Sequence, residues 1–286
     1  VCLEVRPGAT LGIIGESGSG KSVTLRALLG LVPPPGEVIG GEIDWNGRDL
    51  RLVADREMES IRGGEIAMIF QDPAASLNPV FSVGDQVEET LRIKLGLGRA
   101  AARSRALELL ERVGIPSAAK RIDDYPHQLS GGMRQRVMIA MAIACRPKLL
   151  LADEPTTALD VTIQDQILTL LMELQEETGM ALIIVSHDLG VISGVCDEIA
   201  VMYAGHIVEL GHRDDVIGAP AHPYTRALLR TAPSLEATGG PAYAIPGQLP
   251  DLARLPDGCP FAPRCEHARE ACSEAPMSLA EVSPLH

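Results

Sequence analysis

The hydrophobic positions fall into short, doubly apolar runs separated by amphipathic stretches, a pattern that predicts parallel strands covered by helices on both faces. Leu149–Ala152 and Leu182–Val185 are two such runs, with a helical stretch over Thr162–Glu177 between them. Nearer the start, Val1–Val5 alternates like a strand ending in a turn at Pro7-Gly8, and Thr10–Ile14 reads as a buried strand entering a glycine-rich loop. After Lys21 the apolar positions move to Leu25, Leu28 and Leu29, which is helix spacing, and Pro33-Pro34-Pro35-Gly36 stops that helix. Gly41–Leu50 reads as a hairpin turning at Asn46-Gly47, followed by a strand over Ile66–Phe70. From Val83 to Arg146 the pattern is predominantly helical, with Ala100–Val113 and Met133–Ala144 as its best-defined amphipathic runs. Beyond Gly211 the character changes, and Gly239–Pro263 is rich in proline and glycine. No internal repeat is evident.

With 286 residues, 46% hydrophobic and 22% charged, the chain fits one large α/β domain with appendages. Its apolar runs fall far short of the roughly 18–20 residues that cross a bilayer. The start lacks the ordered basic, apolar and small-residue zones of a signal peptide, so the chain is expected on the cytoplasmic side, touching membrane only through partners. A formal net charge of -13 argues against a nucleic-acid binder, because Lys and Arg supply most phosphate affinity. Of six cysteines, Cys2, Cys145 and Cys196 lie apart in apolar segments and read as packed thiols.

The chemistry concentrates first in Gly15-Glu16-Ser17-Gly18-Ser19-Gly20-Lys21-Ser22, which matches the phosphate-binding pattern GxxxxGK[ST] between a predicted strand and a predicted helix. Glycines let the backbone N–H groups curl toward phosphates, Lys21 reaches the β/γ-phosphates, and Ser22 is a magnesium ligand. A second concentration is Asp153-Glu154, which ends the run Leu149–Ala152. A buried carboxylate is costly unless it meets a cation or substrate, so Asp153 is expected to hold magnesium. Glu154, facing another way, is placed to polarise an attacking water as general base.

Leu129-Ser130-Gly131-Gly132-Met133-Arg134-Gln135-Arg136 resembles the signature sequence of the ABC ATPases. The resemblance implies an α/β fold with an ABC-type P-loop ATPase core, an antiparallel β portion, a helical subdomain and a C-terminal extension. It divides the chain into a first core part (1–82), a helical subdomain with the signature (83–147), a second core part (148–212) and a peptide-importer-type extension (213–286). It implies that Ser130, Gly131, Gly132 and Met133 contact ATP held by an opposing protomer, so that two ATP molecules lie between protomers. Similarity to the family also assigns Gln71, in Phe70-Gln71-Asp72-Pro73, as a residue that senses magnesium and water and touches the membrane subunit. Asp160 becomes the residue communicating across the dimer, and His187, in Val185-Ser186-His187-Asp188, the switch histidine ordering the catalytic water. The implied catalytic set is Glu154, His187, Gln71 and Lys21, with Ser22, Gln71 and Asp153 around magnesium. Two departures stand out: the family's adenine-stacking aromatic falls upstream of Val1, and Met133 replaces the glutamine of many members.

Three further stretches resemble the dipeptide, oligopeptide and nickel importers: Gln71–Pro79, His222–Leu229, and the segment Cys259-Pro260-Phe261-Ala262-Pro263-Arg264-Cys265 followed by Cys272. His222–Leu229 on its own reads as a docking helix. Cys259, Cys265 and Cys272 sit in a proline-rich loop with little capacity to pack, a composition that suits a metal staple. Their spacing favours an iron–sulfur cluster over zinc, with reduced thiols as the alternative. The resemblance implies a [4Fe-4S] cluster whose fourth cysteine lies beyond His286. The expected protein is the ATP-hydrolysing subunit of an importer for dipeptides or oligopeptides, peripheral on the cytoplasmic face of the membrane. It would pair with a second ABC ATPase, two transmembrane permease subunits and, indirectly, a substrate-binding protein. Nickel import uses nearly the same motifs. A soluble ABC ATPase acting on ribosomes or DNA would bring tandem cassettes, a coiled-coil insert or a basic arm, and none is found.

Overall fold

The computed structural model describes residues 1–231, 243–274, 278–282 and 286. The stretches 239–242 of the proline- and glycine-rich segment and 283–285 lie outside the described residues. In chain order the strands are β1 (Thr10–Ile14), β2 (Ile66–Ile69), β3 (Leu149–Asp153), β4 (Ala181–Ser186), β5 (Glu198–Tyr203) and β6 (His206–His212). The helices up to the signature are α1 (Lys21–Leu28), α2 (Asp55–Ile61), α3 (Pro73–Ser76), α4 (Val83–Leu95), α5 (Arg99–Arg112), α6 (Ala118–Arg121) and α7 (Gly131–Ile143). After it come α8 (Val161–Thr178), α9 (Leu189–Val195), α10 (Arg213–Gly218) and α11 (Pro223–Thr231). Among the described residues no helix is long and apolar enough to cross a membrane.

Two compact units emerge, one of Val1–Val5, Thr10–Thr24 and Ile184–His286, the other of Arg6–Ala9 and Leu25–Ile183. Both β4 and α1 run across the division.

In the first unit β1 pairs with β5 in parallel, and β5 turns back into antiparallel β6. Every residue of β1 is buried, as a strand covered on both faces requires, whereas β6 mixes buried with exposed positions. The turn joining β5 to β6 is Ala204-Gly205, both left-handed at φ 47° and 82°, the backbone of a type I′ hairpin. Helix α9 packs on β1.

In the second unit β2 and β3 pair in parallel, Ile66 opposite Leu149 through Ile69 opposite Ala152. The helical region builds on them. Val83, Val87 and Leu91 recur at i, i+4 along α4, and Ala102, Ala106 and Leu109 face them from α5. Burying each such Val or Leu contributes about 1.5–3 kcal/mol. Ser82 caps α4 by accepting from the Asp85 N–H, and Gly96 ends it in the left-handed conformation. Gln86, buried, accepts from the Asn78 N–H and donates to the carbonyls of Asn78 and Phe81, fixing the loop ahead of α4.

Two predicted elements differ. Val1–Val5 forms no strand; its residues are exposed or half-buried, so its alternation has no buried face to act on. The hairpin over Gly41–Leu50 shrinks to one antiparallel bridge, Asp44 to Asp49, around the expected Asn46-Gly47 turn. Asp49 instead turns its carboxylate onto the N–H groups of Ile43 and Arg51 and caps a following short 3-10 helix, which ends the ladder.

Candidate functional site

The phosphate loop leaves β1 at Gly15, where φ is 155° and an added Cβ would stand 2.0 Å from the Met202 carbonyl oxygen, so only glycine fits. Gly18 and Gly20 take positive φ of 82° and 107° and turn the backbone into the concave curl that suits anions. The β5–β6 turn steadies it: the Gly205 N–H donates to the Ser19 carbonyl at 2.8 Å. Lys21, the first residue of α1 and 5% exposed, reaches back over the loop and donates to the carbonyls of Gly15 (2.7 Å) and Glu16 (3.0 Å). His187 follows β4 on the surface, in a turn held by Ser186 accepting from the Asp188 N–H and by Asp188 capping α9.

Sequence reasoning found no partner for Glu16, yet its carboxylate is gripped by the Arg264 guanidinium at 2.7 and 3.1 Å. Its N–H donates to the Tyr224 hydroxyl at 2.8 Å, and burial pushes that phenol above its ordinary range, keeping it neutral. Tyr203, Tyr224 and Phe261 pack around this contact with ring centroids 4.6 to 5.3 Å apart. No local signal could reveal an ion pair spanning 248 positions.

The second unit holds the acid pair. Asp153, 1% exposed, ends β3, and Glu154 follows at φ 46°, left-handed for a residue with a side chain. Such a conformation costs of order 1–3 kcal/mol and persists where the surroundings impose it. The Glu154 carboxylate accepts from the Gln71 amide at 2.9 Å and from the Thr157 hydroxyl at 2.8 Å. Thus Gln71 and Glu154 are brought together, and Thr157 joins them, three positions on in the same turn.

Ser130 caps α7 by accepting from the Met133 N–H at 3.3 Å, so Gly131, Gly132 and Met133 form the first turn of that helix. Gly132 serves packing as well: an added Cβ would lie 2.7 Å from Cγ2 of Ile163 in α8. Asp160 caps α8 by accepting from the Ile163 N–H at 3.0 Å.

In the second unit Asp153 and Gln71 offer hard oxygen donors, the kind that magnesium takes. The left-handed glycines and the buried Lys21 suit a phosphate chain.

The cysteine segment departs from expectation. Among the described residues, Cys259, Cys265 and Cys272 included, no group of His, Cys, Asp or Glu comes together to hold a metal ion. The described residues give no support to an iron–sulfur cluster or zinc in this segment. Cys259 is instead buried with Phe261, its N–H donating to the Cys272 carbonyl at 2.7 Å, and Arg264 between the cysteines is the segment's anchor.

Comparison with known proteins gives the family. Residues 1–157 match the family described as ABC transporter, and residues 208–272 the oligopeptide/dipeptide transporter C-terminal region. The oligopeptide transport ATP-binding protein OppD of Salmonella typhimurium is 53% identical over 95% of this chain and 81% of its own. The dipeptide transport ATP-binding protein DppD of Escherichia coli is 50% identical over 95% of this chain and 83% of its own. Among solved structures, the dimeric, post-hydrolysis ATP-binding cassette MJ0796 bound to ADP and Pi superposes with a TM-score of 0.66 at 32% identity, covering 74% of this chain and 88% of that one. The chain belongs to the ABC transporter ATP-binding family, as an ATP-hydrolysing cassette that carries the oligopeptide/dipeptide transporter C-terminal region.

Proposed function

We propose that this chain energises the uptake of dipeptides or oligopeptides by hydrolysing ATP for partner permease subunits at the cytoplasmic face of a membrane. The observation that carries the reading is the presence, in one chain, of the ABC match over 1–157 and the peptide-transporter match over 208–272. OppD and DppD, both near half identical, carry oligopeptide and dipeptide transport in their names, which makes peptide the substrate class.

In this reading the backbone N–H groups of Gly15–Ser22 and Lys21 bind the phosphates, and Ser22, Asp153 and Gln71 would hold magnesium, which when bound would supply charge neutralisation at the transferred phosphoryl group. Glu154 takes a proton from the attacking water, its carboxylate aimed by the Gln71 amide and the Thr157 hydroxyl. His187 orders that water. Ser130–Met133 serve the nucleotide of a second cassette and Asp160 passes its state across the dimer. The functional segments are 1–82, 83–147, 148–212 and 213–286. The exposed Val80 and Phe81, close after Gln71, form an apolar surface suited to a permease subunit.

Co-expression with the permease and peptide-binding subunits, followed by ATPase assay with peptides and with nickel, tests this. Peptide-stimulated hydrolysis by the recovered complex is expected. Stimulation by nickel alone would overturn the substrate class, and ribosomes or DNA recovered in place of permeases would overturn the transport role.

A further inference from the structure

Glu16 poses an electrostatic problem. It lies within the loop that binds polyphosphate, and a carboxylate there repels the anion the loop serves. The C-terminal segment answers it. Arg264, with a side chain 5% exposed, closes a two-pronged pair on Glu16, itself 26% exposed. All five guanidinium N–H groups have acceptors: the two Glu16 oxygens, the Tyr203 hydroxyl at 3.3 Å, and the carbonyls of Pro246 (2.9 Å) and Ile245 (3.2 Å). Three of the five acceptors lie outside the loop and hold the fork in place, and the planar geometry is one that lysine cannot reproduce. The Glu16 main chain is held as well, its N–H donating to the Tyr224 hydroxyl and its carbonyl accepting from Lys21.

We propose that Arg264 is a positioning residue for the phosphate-binding loop: it neutralises and orients Glu16, so that the C-terminal segment sets the affinity of the loop for nucleotide. This rests on the loop being the nucleotide site, as read above. The matched cassette family ends at residue 157 and the C-terminal match begins at 208, so the pair joins residues from two separately matched segments. An ATP site whose affinity depends on the C-terminal segment follows directly.

Equilibrium binding of a fluorescent ATP analogue with magnesium to the full chain, alongside steady-state ATPase kinetics, tests the proposal. Arg264→Gln leaves a carboxylate uncompensated beside the phosphates and is expected to weaken binding about tenfold or more, appearing in KM more than in kcat. Adding Glu16→Gln removes the offending charge and is expected to recover most of that loss, which a purely structural role for Arg264 would not allow. Arg264→Lys keeps charge without the fork and falls between. Native affinity in Arg264→Gln, or a double variant as weak as the single one, would overturn the proposal. Should Arg264→Gln not fold, Arg264→Lys with and without Glu16→Gln carries the same comparison, and equal affinities throughout overturn it. If the unaltered chain bound no magnesium ATP, the assignment of the loop would fall and this inference with it.

Discussion

The side-chain amide of Gln71 donates to the carboxylate of Glu154, 83 residues further along, at 2.9 Å. The bond ties the second residue after β2 to the first residue after β3, neighbouring strands whose ends are fixed by their register. Glu154 is thereby held from two sides, by Gln71 and by Thr157, while its own backbone stays left-handed. That arrangement suits the base proposed for Glu154, whose direction would matter more than local conformational ease.

Glu154→Gln should keep the backbone, the size and the magnesium ATP affinity while lowering the hydrolysis rate about 10²–10⁴-fold, the range that general-base catalysis contributes. Thr157→Val removes one aiming bond worth about 1 kcal/mol and should lower the rate severalfold. Single-turnover hydrolysis beside nucleotide binding separates the two effects. A Glu154→Gln enzyme with near-native turnover would refute the base assignment.

The sequence conveyed the elements whose determinants are local. The apolar runs of β3 and β4, the helical spacing of α5 and α8, and the glycine pattern of the phosphate loop all lie within windows of a few turns. It misled where burial depends on something distant. Val1–Val5 alternates but has no buried face, and the Asn46-Gly47 turn formed without the strands it should join, because Asp49 found nearer partners. The β5–β6 hairpin was illegible for another reason: Ala204 carries the positive φ that Asn or Asp usually advertises. Three cysteines near one another along the chain looked like a ligand set, yet no group of three or more His, Cys, Asp or Glu side chains that could hold a metal ion forms among the described residues.

Gly132 illustrates a position where a signature residue also answers to packing. Gly132→Ala places a methyl 2.7 Å from Cγ2 of Ile163 and should destabilise by about 1–3 kcal/mol through overpacking. Ile163→Ala removes that methyl, so the double variant should regain stability relative to the sum of the single changes. Denaturant midpoints of the four proteins measure the coupling, and strict additivity would show that the close approach is relieved in some other way.

The thiols should differ sharply in reactivity. Burial, with Asp197 adding to it, pushes Cys196 up to about 12, and its side chain is 1% exposed, whereas Cys2 is exposed. Thiolate is the reactive form, so near pH 8 iodoacetamide should label Cys2 readily and leave Cys196 intact until the protein unfolds. Because the folded value is raised, the neutral thiol is favoured in the fold at all ordinary pH, and that preference fades only as pH climbs from the unfolded value near 8.5 toward 12. Peptide mapping of alkylated native protein reads this out, and early modification of Cys196 would contradict the packing of α9 against β1.

Ser130 and Asp160 each have two candidate duties, capping a helix here and serving a second cassette in the proposed mechanism, and substitution chemistry can separate them. An N-cap lost to alanine costs about 0.5–2 kcal/mol, whereas glycine at the same position costs only a few tenths, because backbone solvation replaces the side-chain bond. Ser130→Gly and Asp160→Gly should therefore melt close to the unaltered protein, and Ser130→Ala and Asp160→Ala below it. If the side chains act only as caps, ATPase activity will follow stability and the glycine variants will be nearly fully active. If Ser130 also contacts nucleotide held by a partner cassette, both Ser130 variants will lose hydrolysis together whatever their melting temperatures, and mixing either with a Glu154→Gln protein will show the loss at the site the altered serine faces. The second outcome is expected, since the Ser130 hydroxyl stands at the very start of α7, where the helix N–H groups and dipole favour an anion.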